Sequence, residues 1–354
     1  MNALSRIVPR FRDVPQLLAA SCTVALVIGC GGGQLNELPF ADAGIARRGL
    51  QRTVATDSRD VWFLHRNPLA GTGAPASLAH WNGETLTAVT LPDNSAASTI
   101  AVAGPNEVIT GGTAVLYVMG TQVTDITMQT SGAASFRVAS RGDGTVYAVG
   151  NGVLMRRTPG AAAFEPLPSP VGGMNELVVV APNQIVATGD GNGTLADVIY
   201  FFNGVAWTLS SPMHSARRLA ASALDDVWAV PTTPRAGAPL EVSHYNGTGW
   251  TAVSTLVAAE VRGGITPTLT LQGIVSIGTG RAGAVVVRSY ASIPPRSELV
   301  WVTGDRNGLR TAQMVRVFCT TSMCADGDFS GTPILTSDGV LFVGPYYGTV
   351  STRQ

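Results

Sequence analysis

The chain has 354 residues, 41 of them glycine and 21 proline, with 45% hydrophobic and only 13% charged. All 23 basic residues are arginine, set against 23 acids, so chemistry that needs a lysine (phosphate loops, Schiff bases, Ser-Lys hydrolysis) is excluded. Zero net charge argues against the basic footprint of a nucleic-acid binder and the polybasic patch of a membrane-surface protein, and abundant glycine among short apolar runs predicts an all-β chain with many turns.

The N-terminus reads as an address. Arg6, Arg10 and Arg12 form a positive start, and residues 14–29 are mostly apolar. That stretch is short of the roughly 20 apolar residues of a membrane helix and fits the apolar core of a signal peptide. It ends in Val27-Ile28-Gly29-Cys30. This resembles the lipobox of bacterial lipoproteins, with Ile28 bulkier than the usual small residue. The resemblance implies cleavage after residue 29, a lipid on Cys30, and Gly31-Gly32-Gly33 within a flexible tether over 30–34. An ordinary secretory signal with an incidental cysteine is the alternative. The expected location is the bacterial cell envelope, with the protein anchored by lipid, at the outer membrane, and its body over 35–354 outside the cytoplasm. Cys22 would leave with the signal. Cys319 and Cys324 would then sit in an oxidising compartment, where a short disulfide is the expected reading.

The body repeats. Trp81-Asn82-Gly83, Phe202-Asn203-Gly204 and Tyr245-Asn246-Gly247 each end an apolar run, and each is followed by Leu-Thr or Trp-Thr; Arg306-Asn307-Gly308 is a weaker copy. Asn-Gly between strands predicts a hairpin, with a type I′ turn that needs positive φ at both central residues. A second element reads Asp60-Val61-Trp62-Phe63-Leu64, and it recurs from Val108, Val146, Ile185 and Val227 at steps of 47, 38, 39 and 42 residues. A period near 40 with four short strands per unit is the mark of a β-propeller blade. The pattern Asp-Val-Trp … Tyr-Asn-Gly … Trp-Thr resembles the propeller-repeat lipoproteins of bacteria and, more distantly, kelch and galactose-oxidase propellers.

Seven blades are counted, with six or eight left open: 51–91, 98–129, 134–168, 175–212, 216–254, then a sixth and a seventh. The sixth is assigned strands 273–279, 284–290, 298–303 and 313–318, with 255–272 as an insertion before it. The seventh has 333–336, 340–343 and 349–353 and lacks a fourth strand, which residues 35–48 are expected to supply, closing the ring.

Chemistry is sparse. His80 and His244 share one repeat slot that Phe201 fills elsewhere, so they read as packing residues, and His65 and His214 lie near strand ends without metal spacing. Asp60, Asp225 and Asp226 precede strands and are expected to bond turn amides. Asp326, Asp328 and Ser330, in Asp-Gly-Asp-Phe-Ser-Gly, partly match a calcium loop, although Ser337 stands where its glutamate belongs. Asp190-Gly191-Asn192-Gly193 is a weaker match. Arg141-Gly142-Asp143 spells an adhesion tripeptide but falls at a turn. Sialidase boxes and nucleophile elbows are missing, and no cofactor is expected beyond that calcium.

The expected function is a binding or scaffolding module for an envelope protein or polysaccharide, engaged at the channel end formed by connections between blades and between second and third strands. The alternative is a lyase or glycoside hydrolase on the same fold; acids, arginines or histidines converging at that mouth would favour it, and a smooth mouth lined by glycine, serine and threonine would favour the binder. A structural part of an envelope complex is a third reading.

Overall fold

A computed structural model describes residues 35–36, 50–57, 59–66, 76–92, 96–127, 135–150, 152–169, 174–189, 198–210, 216–231, 240–255, 267–290, 296–319, 334–336, 339–344 and 347–352. Cys30, His214, Cys324, Asp326, Asp328, Ser330 and residues 190–193 lie outside these.

The described residues form seven four-stranded antiparallel sheets. The innermost strands, in order of blades 1 to 7, are Leu50–Asp57, Thr99–Gly104, Arg137–Ser140, Met174–Ala181, Ala216–Ala223, Thr268–Gly278 and Ile334–Thr336. Each packs against the next, and the seventh returns to the first, so the sheets stand around a central channel. Leu35–Asn36 pairs with Tyr347–Thr352, Leu35 opposite Val350 and Asn36 opposite Thr349. The expected closure is thereby met: blade 7 takes its outermost strand from the N-terminal side of the body.

The second strand of each blade explains the unbroken apolar runs in the sequence. Asp60–Arg66 is covered on both faces, with Val61, Trp62, Phe63 and Leu64 fully buried. Alternate side chains go to opposite neighbours: Val61 and Phe63 meet Ile334 of blade 7, and Trp62 and Leu64 join Ile100 and Val108 of blade 2. The same division places Tyr147 with Ile185, and Trp228 with Ile274. Each such side chain contributes about 1.5–3 kcal/mol when fully buried. A blade is therefore stable only between its neighbours.

Two expectations need correction. The Asn-Gly hairpins are four-residue loops and not type I′ turns: Trp81 pairs with Leu86, Phe202 with Trp207 and Tyr245 with Trp250. Only the glycines adopt positive φ, at 93°, 97° and 89° for Gly83, Gly204 and Gly247. The asparagine side chain closes each loop. Asn82 Oδ1 accepts from the Glu84 and Thr85 amides at 3.0 and 2.8 Å, and Asn203 and Asn246 do the same in their loops. Blade 6 is also longer than its assigned strands. Its inner strand begins at Thr268, inside the segment read as an insertion, and its others span Arg281–Tyr290, Arg296–Asp305 and Gly308–Cys319. Glycine hid the extent of this sheet: Gly283 lies under Trp301, where an added Cβ would approach the ring to 2.0 Å.

Candidate functional site

The histidines of the shared slot belong to buried networks. Asp60 Oδ1 meets His80 Nε2 at 2.8 Å and accepts from Trp62 Nε1 at 3.0 Å, while Oδ2 accepts from Thr56 Oγ1 at 2.6 Å and the Asn106 amide at 3.1 Å. His80 stacks on Trp62 at 3.9 Å. Burial pushes the Asp60 pKa up, but the hydrogen bonds from His80, Thr56 and Asn106 outweigh it and hold it below its ordinary value. Blade 5 repeats part of the set, with His244 Nε2 2.8 Å from Asp226 Oδ1, Ser222 donating to Oδ2, and Trp228 4.2 Å from the His244 ring, although Trp228 Nε1 makes no hydrogen bond among the described residues. The packing reading of the slot is right but incomplete. Asp60 ties three strands of its own blade to the Asn106 turn of the next, and Asp226 bonds side chains as well, so these acids do more than satisfy turn amides. Phe201 fills the slot in blade 4, where Gln184 replaces the aspartate.

His65 is a separate case. It is 4% exposed, and burial lowers its pKa from 6.5 to about 4. The folded state therefore prefers the neutral ring, while the unfolded chain takes up a proton near 6.5. Stability is full above pH 6.5 and falls as the pH drops towards 4, by about 3 kcal/mol. His65→Phe is expected to remove this slope from urea midpoints measured across that range. An unchanged slope would assign the effect to other groups.

Arg141-Gly142-Asp143 is a turn, as expected: it joins the first two strands of blade 3, Gly142 and Gly144 take φ of 82°, and Asp143 Oδ1 accepts from the Thr145 amide at 2.9 Å. Cys319 is the last residue of the outermost strand of blade 6. Among the described residues, no three His, Cys, Asp or Glu side chains gather as a metal site would.

The charged groups that converge do so in the channel. A cavity of about 600 Å³ is lined by the inner strands of blades 1 to 4 and by Ile334 of blade 7. Near the start of those strands, Arg52 pairs with Leu64, Thr99 with Gly111, Arg137 with Val149, Glu176 with Thr188 and Arg218 with Val230. They hold one level in five successive blades. Gly273, opposite Val285, holds it in blade 6. This level lies at the end expected to receive ligands. Above it, the second strand of blade 6 runs five residues beyond Val285, whereas that of blade 1 runs two beyond Leu64. At about 3.3 Å per residue, blade 6 stands roughly 10 Å higher and walls one side of the mouth.

Arg218 Nη1 lies 3.6 Å from Glu176 Oε1, and Arg52 Nε donates to the Ser98 carbonyl at 3.1 Å. Burial raises the Glu176 pKa, opposed by Arg218, Arg52 and the Leu219 amide. Burial also lowers that of Arg52, helped by Arg218 and, less, by Arg137, with Glu176 acting the other way. Thr99 has a structural part: its Oγ1 donates to the Gly111 carbonyl at 3.2 Å and accepts from the Val138 amide at 3.3 Å, joining blades 2 and 3. None of these four charged residues was singled out from the sequence. A signal was present, because each of the five lies 12 residues before its partner in the second strand.

Neither a family model nor a curated protein matches this sequence. Among solved structures, the chain is similar to YCF48 bound to D1 peptide, at 13% identity over 91% of this chain and 96% of that one, with a TM-score of 0.54. It is also similar to TolB from Acinetobacter baumannii, at 14% identity over 74% and 67% of the two chains with a TM-score of 0.40. The WD40 domain of SCAP from fission yeast matches at 8% identity over 90% and 75%, with a TM-score of 0.43. The fold is a β-propeller. Likeness at these identities speaks for the propeller alone, because propellers host many functions.

Proposed function

We propose that this propeller is a lipid-anchored, extracytoplasmic binding module of the bacterial envelope, and that its channel mouth receives a protein partner. The observation that carries this reading is the charged level of Arg52, Arg137 and Glu176, which line one end of the channel, with Arg218 beside Glu176. Arginines and an acid converging at the mouth are the feature set for the enzyme alternative, but the composition of this mouth favours binding. Glu176 is the single carboxylate among the described lining residues, whereas glycosidases work with two. Arginine, always protonated, positions anions and is no general base. The propeller YCF48, in its structure with D1 peptide, is an instance of this fold holding a peptide. The lipobox at Cys30 supports the anchor, and three acyl chains there, at about 0.8 kcal/mol per buried CH₂, would hold the module to a bilayer. In that compartment Cys319 and Cys324 would close a disulfide.

Two measurements test the proposal. Cys30→Ala is expected to move the protein from the membrane fraction to the soluble one; retention refutes the anchor. A photo-crosslinking residue in place of Asn175, exposed at the mouth, is expected to trap a discrete envelope protein. The same residue in place of Glu84, in a loop at the opposite end, is expected to trap none. No adduct from position 175, or equal adducts from both, refutes the mouth as the partner site.

A further inference from the structure

Among the described residues, the channel mouth holds more positive charge than Glu176 neutralises. Glu176 faces Arg218, and among the described residues Arg52 and Arg137 form no ion pair. Both are partly exposed and both line the cavity. Arg52 is fixed along one edge by the Ser98 carbonyl, which leaves its terminal amino groups without a partner among the described residues. Cations crowded in a half-enclosed space repel one another; burial lowers the Arg52 pKa, and the nearby Arg218 and Arg137 lower it further. An anionic ligand would relieve it.

We propose that Arg52 and Arg137, flanked by Arg218, bind a carboxylate of an extracytoplasmic peptide that enters the channel at this end, an inference that rests on reading the mouth as a partner site. The planar fork of a guanidinium matches the two oxygens of a carboxylate. The ring already accepts one such group, Glu176, from blade 4. Below these arginines the wall carries Ile100, Val102, Val138 and Val179, which suit amino-acid side chains, with Thr56, Ser140 and Arg141 towards the far end. The described lining residues below the arginines are mainly aliphatic where a sugar ring would use an aromatic face, and this favours a peptide over an acidic polysaccharide. Glu176 competes with the ligand for the same cations and so weakens its binding.

The test uses the full chain in detergent and a fluorescein-labelled hexaglutamate peptide, read by fluorescence anisotropy. Hexaglutamate is expected to bind, more weakly as salt is raised, and hexaglutamine is expected not to bind. Arg52→Gln and Arg137→Gln should each weaken binding by about tenfold or more, the loss of one charge-assisted contact. Glu176→Gln should strengthen it. An amidated C-terminus separates the two carboxylate sources: loss of binding assigns the terminal carboxylate, and retention the side chains. Both results support the proposal. Equal binding of hexaglutamine, or salt-independent binding, overturns it even where an arginine variant fails to fold. Tighter binding of oligogalacturonate of equal charge overturns the peptide assignment. The position-175 adduct separates the two levels of the argument. If the wild-type chain traps the position-175 adduct but binds hexaglutamate no better than hexaglutamine, the carboxylate site is wrong and the partner site stands. If hexaglutamate binds through the arginines but the wild-type mouth traps no protein, the partner reading is wrong.

Discussion

Trp228→Ala is expected to destabilise the protein by about 3–5 kcal/mol, the usual range for removing a fully buried tryptophan. Trp228 is fully buried, and it lies in the cluster that joins blade 5 to blade 6 through Val230, Val242, Ile274 and Val286. Its ring also covers His244, which bonds Asp226. Truncation would leave a cavity between two blades that the closed ring keeps from collapsing, and it would open a buried aspartate network to water. Leu209→Ala provides the control, because Leu209 is 59% exposed and its loss should fall within about 0.5 kcal/mol. Urea midpoints decide the matter: a Trp228→Ala midpoint close to wild type would show that the interface repacks.

Deleting residues 35–48 is expected to lower stability by at least about 2 kcal/mol and to promote self-association. The strand itself is only Leu35–Asn36, and two backbone pairs account for about 1 kcal/mol each. The larger consequence is geometric. Without that strand, Tyr347–Thr352 becomes an open sheet edge, a template for pairing with another chain. Blade 7 also supports blade 1, because Ile334 packs against the cluster of Val61, Phe63 and Ala79, so fraying would spread across the seam. Unchanged urea midpoints and a monomeric profile in sedimentation would refute closure as a source of stability.

Residues differ in how far they could be read in advance. Val61-Trp62-Phe63-Leu64 and its copies were legible as blade strands, because burial on both faces demands an unbroken apolar run and the ring repeats that demand in each unit. The missing strand of blade 7 was legible by counting. The Asn-Gly loops were located correctly, but their type was not, because asparagine serves both as a positive-φ residue and as a side-chain acceptor, and only the backbone geometry separates these uses. The Asp60–His80 and Asp226–His244 pairs were half legible: the slot was seen, but its partner lies one strand away, 20 and 18 residues distant.

The sequence by itself determined the all-β class, the repeat and the seam, since period and turn chemistry are properties of neighbouring residues. Only the tertiary structure decided where the charge gathers. Arg52, Arg137, Glu176 and Arg218 stand about 40 or more residues apart on unlike strands, and their common spacing of 12 residues from the second strand marks a level but not a site. They become one site because equal strand register in successive blades, bent into a closed ring, brings the same level of each blade to the same channel.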